Sequence, residues 1–275
     1  MLRRTEGIVL RTFPFGEADL IVTFLTADFG LIKVFAKSPR KIKSRFGSSL
    51  EPLTCSRVSF WGKEDADLPR LTQSDILHSF QMIRNNLHVF LKVSEIIELT
   101  ITLVPEKDVN KKMYQLLFNT LRAIEQGIAQ FSGHTPSGKG AGRDSRGEKR
   151  VQGGIDFLMS HYRVKLLKYA GFAPKLDACG RCGKKGFCFY ISQGTILCES
   201  CAKAADTPIE VSPAMMKLYA DLLLWDTAKI QRIKPSHMLL AELSEIMSMH
   251  IKYILSKPLN SEAFVCAIGK EFFKE

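Results

Sequence analysis

The stretch Gly171–Cys201 reads GFAPKLDACGRCGKKGFCFYISQGTILCESC. Cys179 and Cys182 form one CxxC and Cys198 and Cys201 a second, with fifteen residues (183–197) between the pairs. A CxxC turn brings two thiolates onto one ion, and two such turns at this separation complete a tetrahedral sulfur shell suited to Zn2+. Between them, β-forming Phe189, Tyr190 and Ile191, polar Ser192-Gln193-Gly194 and then Thr195, Ile196 and Leu197 predict the closing hairpin. With all four positions filled by protein, no coordination site is left for water or substrate, so the expected zinc is structural. Two redox CxxC motifs are the competing interpretation, but no βαβ pattern surrounds either pair. Cys188 is a fifth thiol, placed mid-strand rather than in a turn.

The 275 residues are 45% hydrophobic and 24% charged, the balance of a globular chain long enough for more than one domain. The N-terminus turns polar too soon for a signal peptide, and the apolar run Ile96–Val104 is far shorter than a membrane span. Of seven cysteines, four go to zinc, leaving Cys55, Cys188 and Cys266 as reduced thiols. This predicts a cytoplasmic protein with no membrane partner. The formal net charge of +11 points to a polyanionic partner, most often nucleic acid.

Residues 1–78 read as short strands: Gly7–Phe13, Asp19–Thr26, Leu31–Lys37, Thr54–Trp61 and Leu68–Ile76. Five strands in this length suit a small closed barrel of the OB type, which leaves no open sheet edge. Leu31–Leu50 contains no acidic residue and carries Lys33, Lys37, Arg40, Lys41, Lys43 and Arg45. Such a segment predicts a cationic strip that neutralises phosphates, with the interleaved Phe35 and Phe46 available to stack on bases. The alternation of Phe35 with Val34 leaves a core-facing ring as the other possibility. A solvated loop is the plain alternative for the strip.

The period changes at Phe80. Leu87, Phe90, Leu91, Ile97, Ile101 and Val104 are expected on the buried side of a helix that stops at Pro105. Asp108 is expected to cap the next helix, which buries Leu117, Leu121 and Ile124 and ends near Gly127. Further helices are predicted at about 155–170, from Ser212-Pro213, and at about 236–255 and 261–273. His88, His161 and His250 fall inside helices as lone histidines, expected in packing or surface roles. The overall prediction is an α+β protein: an OB-like five-stranded barrel at 1–78, then a helical domain at 79–275 carrying the four-cysteine zinc motif within 175–206.

Residues 132–154 hold seven glycines and few apolar groups, and predict a flexible insert. Within it, Gly133–Gly140 reads GHTPSGKG. It is one residue short of a phosphate-binding loop, because Gly140 stands where Ser or Thr would hold Mg2+. Residues 163–203 carry eight Lys or Arg against Asp177 and Glu199, which predicts a second cationic surface around the metal motif.

Several runs resemble the RecO family of bacterial DNA repair proteins: EGIVLRTFPFGEAD, VFAKSPRKIKSRFGSSLEPL, and LLKYAGFAPKLDACGRCG followed by GTILCESC. With the helix order, the likeness covers nearly the whole chain. The long glycine-rich insert departs from the family pattern, and no role is carried onto it. The resemblance implies a recombination mediator rather than an enzyme. Such proteins bind single- and double-stranded DNA, anneal complementary strands, and interact with RecR and with the acidic C-terminal tail of single-strand-binding protein, which helps RecA load. It also implies DNA and RecR contacts for Lys37, Arg40, Lys41, Lys43 and Arg45, and matches Cys179, Cys182, Cys198 and Cys201 to a zinc motif. Annealing requires charge neutralisation and no covalent chemistry, consistent with a sequence showing neither clustered carboxylates nor a spaced nucleophile and base. A zinc-bearing, sequence-reading DNA regulator is the rival, although no helix-turn-helix pattern stands out.

Overall fold

The computed structural model describes residues 1–41, 44–63, 66–132, 145–202, 207–257 and 259–261. Two compact units result: Met1–Phe90 with Ile97–Glu125, and Leu91–Ile96 with Gln126–Glu275.

The first unit is built on β1 (Leu2–Phe15), β2 (Asp19–Thr26), β3 (Gly30–Ala36), β4 (Cys55–Trp61) and β5 (Arg70–His78). They close into a barrel in the order β1-β2-β3-β5-β4, with β4 paired back onto β1. The OB-type barrel predicted from strand spacing is therefore present. Its first strand is longer than predicted because it serves two neighbours, β4 along residues 2–8 and β2 along residues 7–15. The interior is filled by Val9, Val22, Phe24, Ile32, Val34, Val58, Phe60 and Leu71, with Phe46 and Leu50 entering from the connection between β3 and β4. Phe24 and Phe60 are fully enclosed, and truncating either to Ala costs about 3–5 kcal/mol.

A β-bulge lies between Val9 and Arg11. Strict alternation would put Val9, Arg11, Phe13 and Phe15 on the same inner face. The extra residue, Leu10, inverts the pattern, so Val9 stays inside while Arg11, Phe13 and Phe15 point outward.

The outer face is divided. At one end Ile8, Leu25, Leu31 and Cys55 are also buried, and the Tyr114 hydroxyl meets the Cys55 sulfur at 3.5 Å. Tyr114 belongs to α3 (Lys111–Ser132), which follows α1 (Gln81–Arg84) and α2 (Leu87–Leu103). His78 contacts Glu125 at 2.5 Å, and Phe80 packs edge-on against Phe118. These contacts make the first unit larger than the 1–78 stretch. Residues 105–110 also run along β3, where the Lys107 N–H donates to the Leu31 carbonyl at 2.8 Å.

Three helix details differ from prediction. Of the residues expected on the buried side of α2, Ile97 and Val104 are buried, but Leu87 is exposed and Phe90, Leu91 and Ile101 are half-buried; Val89, Val93, Ile96, Leu99 and Leu103 make up the rest of the buried side. Phe80 adopts a left-handed conformation ahead of α1, and α2 starts afresh at Asn86, whose side-chain oxygen accepts from the Val89 N–H. Asn110, not Asp108, caps α3, its side-chain oxygen accepting from the Lys112 and Met113 N–H groups. The helix buries Leu117, Leu121 and Ile124 as expected, but runs through Gly127 to Ser132.

The second unit contains α4 (Ser145–Tyr169), β6 (Cys188–Tyr190), β7 (Thr195–Leu197), β8 (Ile209–Glu210), α5 (Pro213–Leu224), α6 (Thr227–Ile230) and α7 (His237–Leu255). Helices α4, α5 and α7 pack on one another around Tyr162, Leu166, Leu222, Leu243 and Met247. The Ser212 hydroxyl caps α5 by accepting from the Met215 N–H, and Glu242 of α7 receives both the Ser212 N–H and hydroxyl at 2.7 Å. Asp226 and Ser236 cap α6 and α7. Helix α4 begins about ten residues before its predicted start, so residues 145–154 of the expected flexible insert are helical. The rest of the insert (133–144, including all of GHTPSGKG) and the helix predicted at 261–273, apart from Ser261, lie outside the described residues.

Candidate metal centre and nucleic-acid interface

Strands β6 and β7 form the predicted hairpin, registering Cys188 with Leu197, Phe189 with Ile196 and Tyr190 with Thr195. β8 adds on the other side of β6. Two turns flank this small sheet. In the first, the Gly183 N–H donates to the Cys179 carbonyl at 2.9 Å; in the second, the Cys201 and Ala202 N–H groups donate to the Cys198 carbonyl. Gly183 has φ +73, a conformation that side chains resist and that the first turn requires after Cys182.

The sulfurs of Cys179, Cys182, Cys198 and Cys201 all lie within 4.8 Å of one another, and Cys182 and Cys198 approach to 3.5 Å. A tetrahedron with metal–sulfur bonds of ~2.3 Å has edges of about 3.8 Å, so the four donors fit one ion. Cys188, in strand β6, packs beside the cluster but is not one of the four donors. Backbone N–H groups support charge on the sulfurs: donation from Cys198, then from Cys182 and Arg181, brings the Cys179 thiol down to about 6. Hydrogen bonding with Cys182 and Cys198 pushes Cys201 up to about 12. Crowded thiols thus hold protons unevenly, and a divalent cation is the natural replacement for those protons. These residues could hold a metal ion.

The second cationic surface predicted around this centre is smaller than the residue count implied. Arg163 pairs with Glu95, and the ammonium groups of Lys165 and Lys168 both donate to the Leu223 carbonyl at 3.0 Å, closing the C-terminal end of α5. Arg181 donates to the Cys201 carbonyl, while Lys175, Lys184 and Lys185 remain exposed. His161 and His250 take packing roles, donating from Nε2 to the Trp225 and Phe172 carbonyls.

On the barrel, the basic strip divides into different environments. Lys37, Arg40 and Lys41 are exposed in the loop after β3. Lys33 lies on the outer face of β3, ion-paired with Glu106 at 2.5 Å. Arg45 is exposed, with its guanidinium 4.9 Å from the centre of the Phe46 ring. Lys43 lies outside the described residues. Phe46 corrects the prediction made for it: only 3% exposed, it plugs the barrel core, and its ring is not offered to a base. The hydrophobic demand of a small barrel outweighs the basic neighbourhood of this residue.

Two backbone ties hold the loop beside the β1–β2 hairpin. The Ser38 N–H donates to Asp19 Oδ1 at 2.6 Å, and the Arg40 N–H donates to the Ala18 carbonyl at 3.3 Å. The exposed aromatic residues of this hairpin are Phe13 and Phe15, 58% and 51% exposed, which sequence reasoning did not select. Their i, i+2 spacing was visible; the bulge that turns them outward was not.

An OB-type barrel with a basic loop, together with a helical unit bearing four cysteines that could hold a metal ion, defines an α+β protein of the OB-barrel class. The family described as "Recombination protein O N terminal" matches residues 1–80, and "Recombination protein O C terminal" matches residues 154–263. A protein named DNA repair protein RecO from Thermodesulfovibrio yellowstonii is 38% identical over 257 residues, spanning 91% of this chain and 92% of that protein. Another of that name, from Syntrophus aciditrophicus, is 30% identical over 266 residues, spanning 94% of this chain and 93% of its own length. The chain belongs to the RecO family, whose role is in DNA repair and recombination. Among the described residues, no helix is long and apolar enough to cross a membrane.

Proposed function

We propose that this protein is a recombination mediator without catalytic activity, acting in the cytoplasm at the nucleoid. The barrel, residues 1–78, is the DNA-binding domain, and residues 79–275 form the helical domain. Lys33, Lys37, Arg40, Lys41, Lys43 and Arg45 neutralise phosphates of single- and double-stranded DNA, letting two polyanionic strands approach and anneal. RecR and the acidic C-terminal tail of single-strand-binding protein are its protein partners, and RecA loading onto coated DNA is the outcome. Zn2+ is the ion assigned to Cys179, Cys182, Cys198 and Cys201. When bound, it supplies a rigid cross-link and no reactive position.

The single observation that carries this reading is the exposed Lys37-Arg40-Lys41 loop, tied to the barrel hairpin rather than trailing free. A tethered cationic loop presents charge at a defined place with less ordering cost on binding. The test is annealing of complementary oligonucleotides coated with single-strand-binding protein, with and without RecR. Accelerated annealing supports the mediator role, and failure in both arms removes it while leaving simple DNA binding intact.

A further inference from the structure

We infer that the open outer face of β1, β2 and β3 is a stacking platform for the unpaired bases of single-stranded DNA, with Phe13 and Phe15 as its rings. This inference rests on the DNA-binding reading of the barrel and goes beyond it by naming which form of DNA the face selects.

The register builds the platform. Phe13 on β1 lies opposite Ile21 on β2, Ile21 lies opposite Phe35 on β3, and Phe35 lies opposite Arg70 on β5. Residues directly opposite share a face, so these four form one outward row. The next row on one side is Arg11, Thr23 and Lys33; on the other, Phe15 lies opposite Asp19. Phe15 packs edge-on against Phe35, centroids 5.9 Å apart, which steadies the ring from beneath. Phe35 is half-buried by this contact, whereas Phe13 and Phe15 leave more than half their surface in water. Burying that surface is favourable, and no described residue of the first unit does so.

The charge around the rings selects the occupant. Arg11 and Arg70 are exposed at two sides, and Lys37, Arg40 and Lys41 are held at a third by the Asp19–Ser38 and Ala18–Arg40 bonds. Of the acids at this face, Asp19 is engaged by Ser38, Glu106 is paired with Lys33, and Glu17 lies at the hairpin turn. Apolar rings framed by cations complement a strand that offers flat bases on one side and phosphates on the other. Residues two apart on a strand are separated by ~6.6 Å, about twice the ~3.4 Å base spacing of a DNA strand. A duplex keeps its bases inside, so the rings add nothing to duplex binding.

The test uses the full-length protein and its F13A/F15A variant, with anisotropy measured on a thymidine oligonucleotide, an abasic strand of equal length and a duplex. The variant is expected to lose about tenfold or more on the thymidine strand and less than twofold on the duplex, with an unchanged salt slope. Wild type should prefer thymidine over abasic strand, and the variant should not. Equal losses on strand and duplex, an unaltered preference for thymidine, or loss of a protein partner with both DNA affinities intact each overturn the platform. Should F13A/F15A misfold by circular dichroism, F13L/F15L keeps the apolar surface while removing the ring faces, and the same comparison applies. Failure of wild type to bind any oligonucleotide sinks the DNA reading itself. Normal binding with a neutral variant sinks the platform alone.

Discussion

The Asp19 carboxylate accepts the Ser38 N–H at 2.6 Å while Ser38 holds φ +56, a backbone conformation that only glycine adopts at no cost. One charged hydrogen bond thereby stabilises a strained turn and sets where the basic loop begins.

Removing that bond should release the loop. Hydrogen bonds to charged groups contribute about 1.5–3 kcal/mol, so Asp19→Ala should speed amide exchange at residues 38–41 by about tenfold or more. Ser38→Gly should relieve the strain and restore part of the loss. Unchanged exchange in Asp19→Ala would show that the loop is held by other contacts.

Replacing Arg40 and Lys41 with Ala together should weaken binding to unrelated oligonucleotides alike. The slope of log affinity against log salt should flatten by about 0.7–0.9 for each phosphate that the variant no longer neutralises. A titration series at four salt concentrations measures this, and an identical slope would remove the loop from the DNA-binding surface.

Gly30→Ala should damage the first unit. Gly30 has φ +64, and an added Cβ would lie 2.0 Å from the Asp108 carbonyl oxygen. Backbone blocks it, so the 105–110 segment must move off β3. A loss on the order of 2–4 kcal/mol in urea unfolding is expected, against about 1 kcal/mol for Gly16→Ser, which shares the left-handed backbone (φ +63) but meets no neighbouring atom.

The helical unit should weaken in acid through His161. Burial, opposed by its bond to the Trp225 carbonyl, lowers this histidine from 6.5 to about 4. Above about 6.5 the ring is neutral whether the chain is folded or unfolded, and the full stability is present. As pH falls from there through 4, the unfolded chain takes a proton that the folded one refuses, so stability drops, by about 3 kcal/mol once below 4. His250, lowered chiefly by burial, adds in the same direction. His161→Gln keeps a donor for Trp225 without titrating, and its unfolding free energy should fall less steeply over that window. A slope matching wild type would contradict the assignment.

Chelation, or Cys179→Ser, should loosen residues 174–202 while sparing the barrel. Structural zinc contributes about 10–16 kcal/mol of apparent binding energy in isolated zinc-finger peptides, so its loss unfolds what depends on it. The Tyr219 hydroxyl donates to the Pro174 carbonyl and His250 to that of Phe172, joining α5 and α7 to the metal segment. Exchange protection should therefore fall at these contacts as well. Metal content by mass spectrometry should drop to zero in step.

Much of this was legible in the chain because it depends on near neighbours. Two CxxC turns and a short hairpin bring four sulfurs together whatever the rest of the molecule does, and five strand signals in under eighty residues have few ways to close. Caps were legible where a hydroxyl preceded proline, as at Ser212, and misassigned at Asp108, where Asn110 lay closer to the first turn. What tertiary structure alone decided is which side chains face water. The inserted Leu10 reverses the alternation of β1, so Phe13 and Phe15 point out; Phe46, embedded in a basic run, is drawn in to fill the barrel. Strand periodicity is blind to a one-residue insertion whose stabilisation comes from a partner strand, and local charge says nothing of a cavity that a distant sheet must fill.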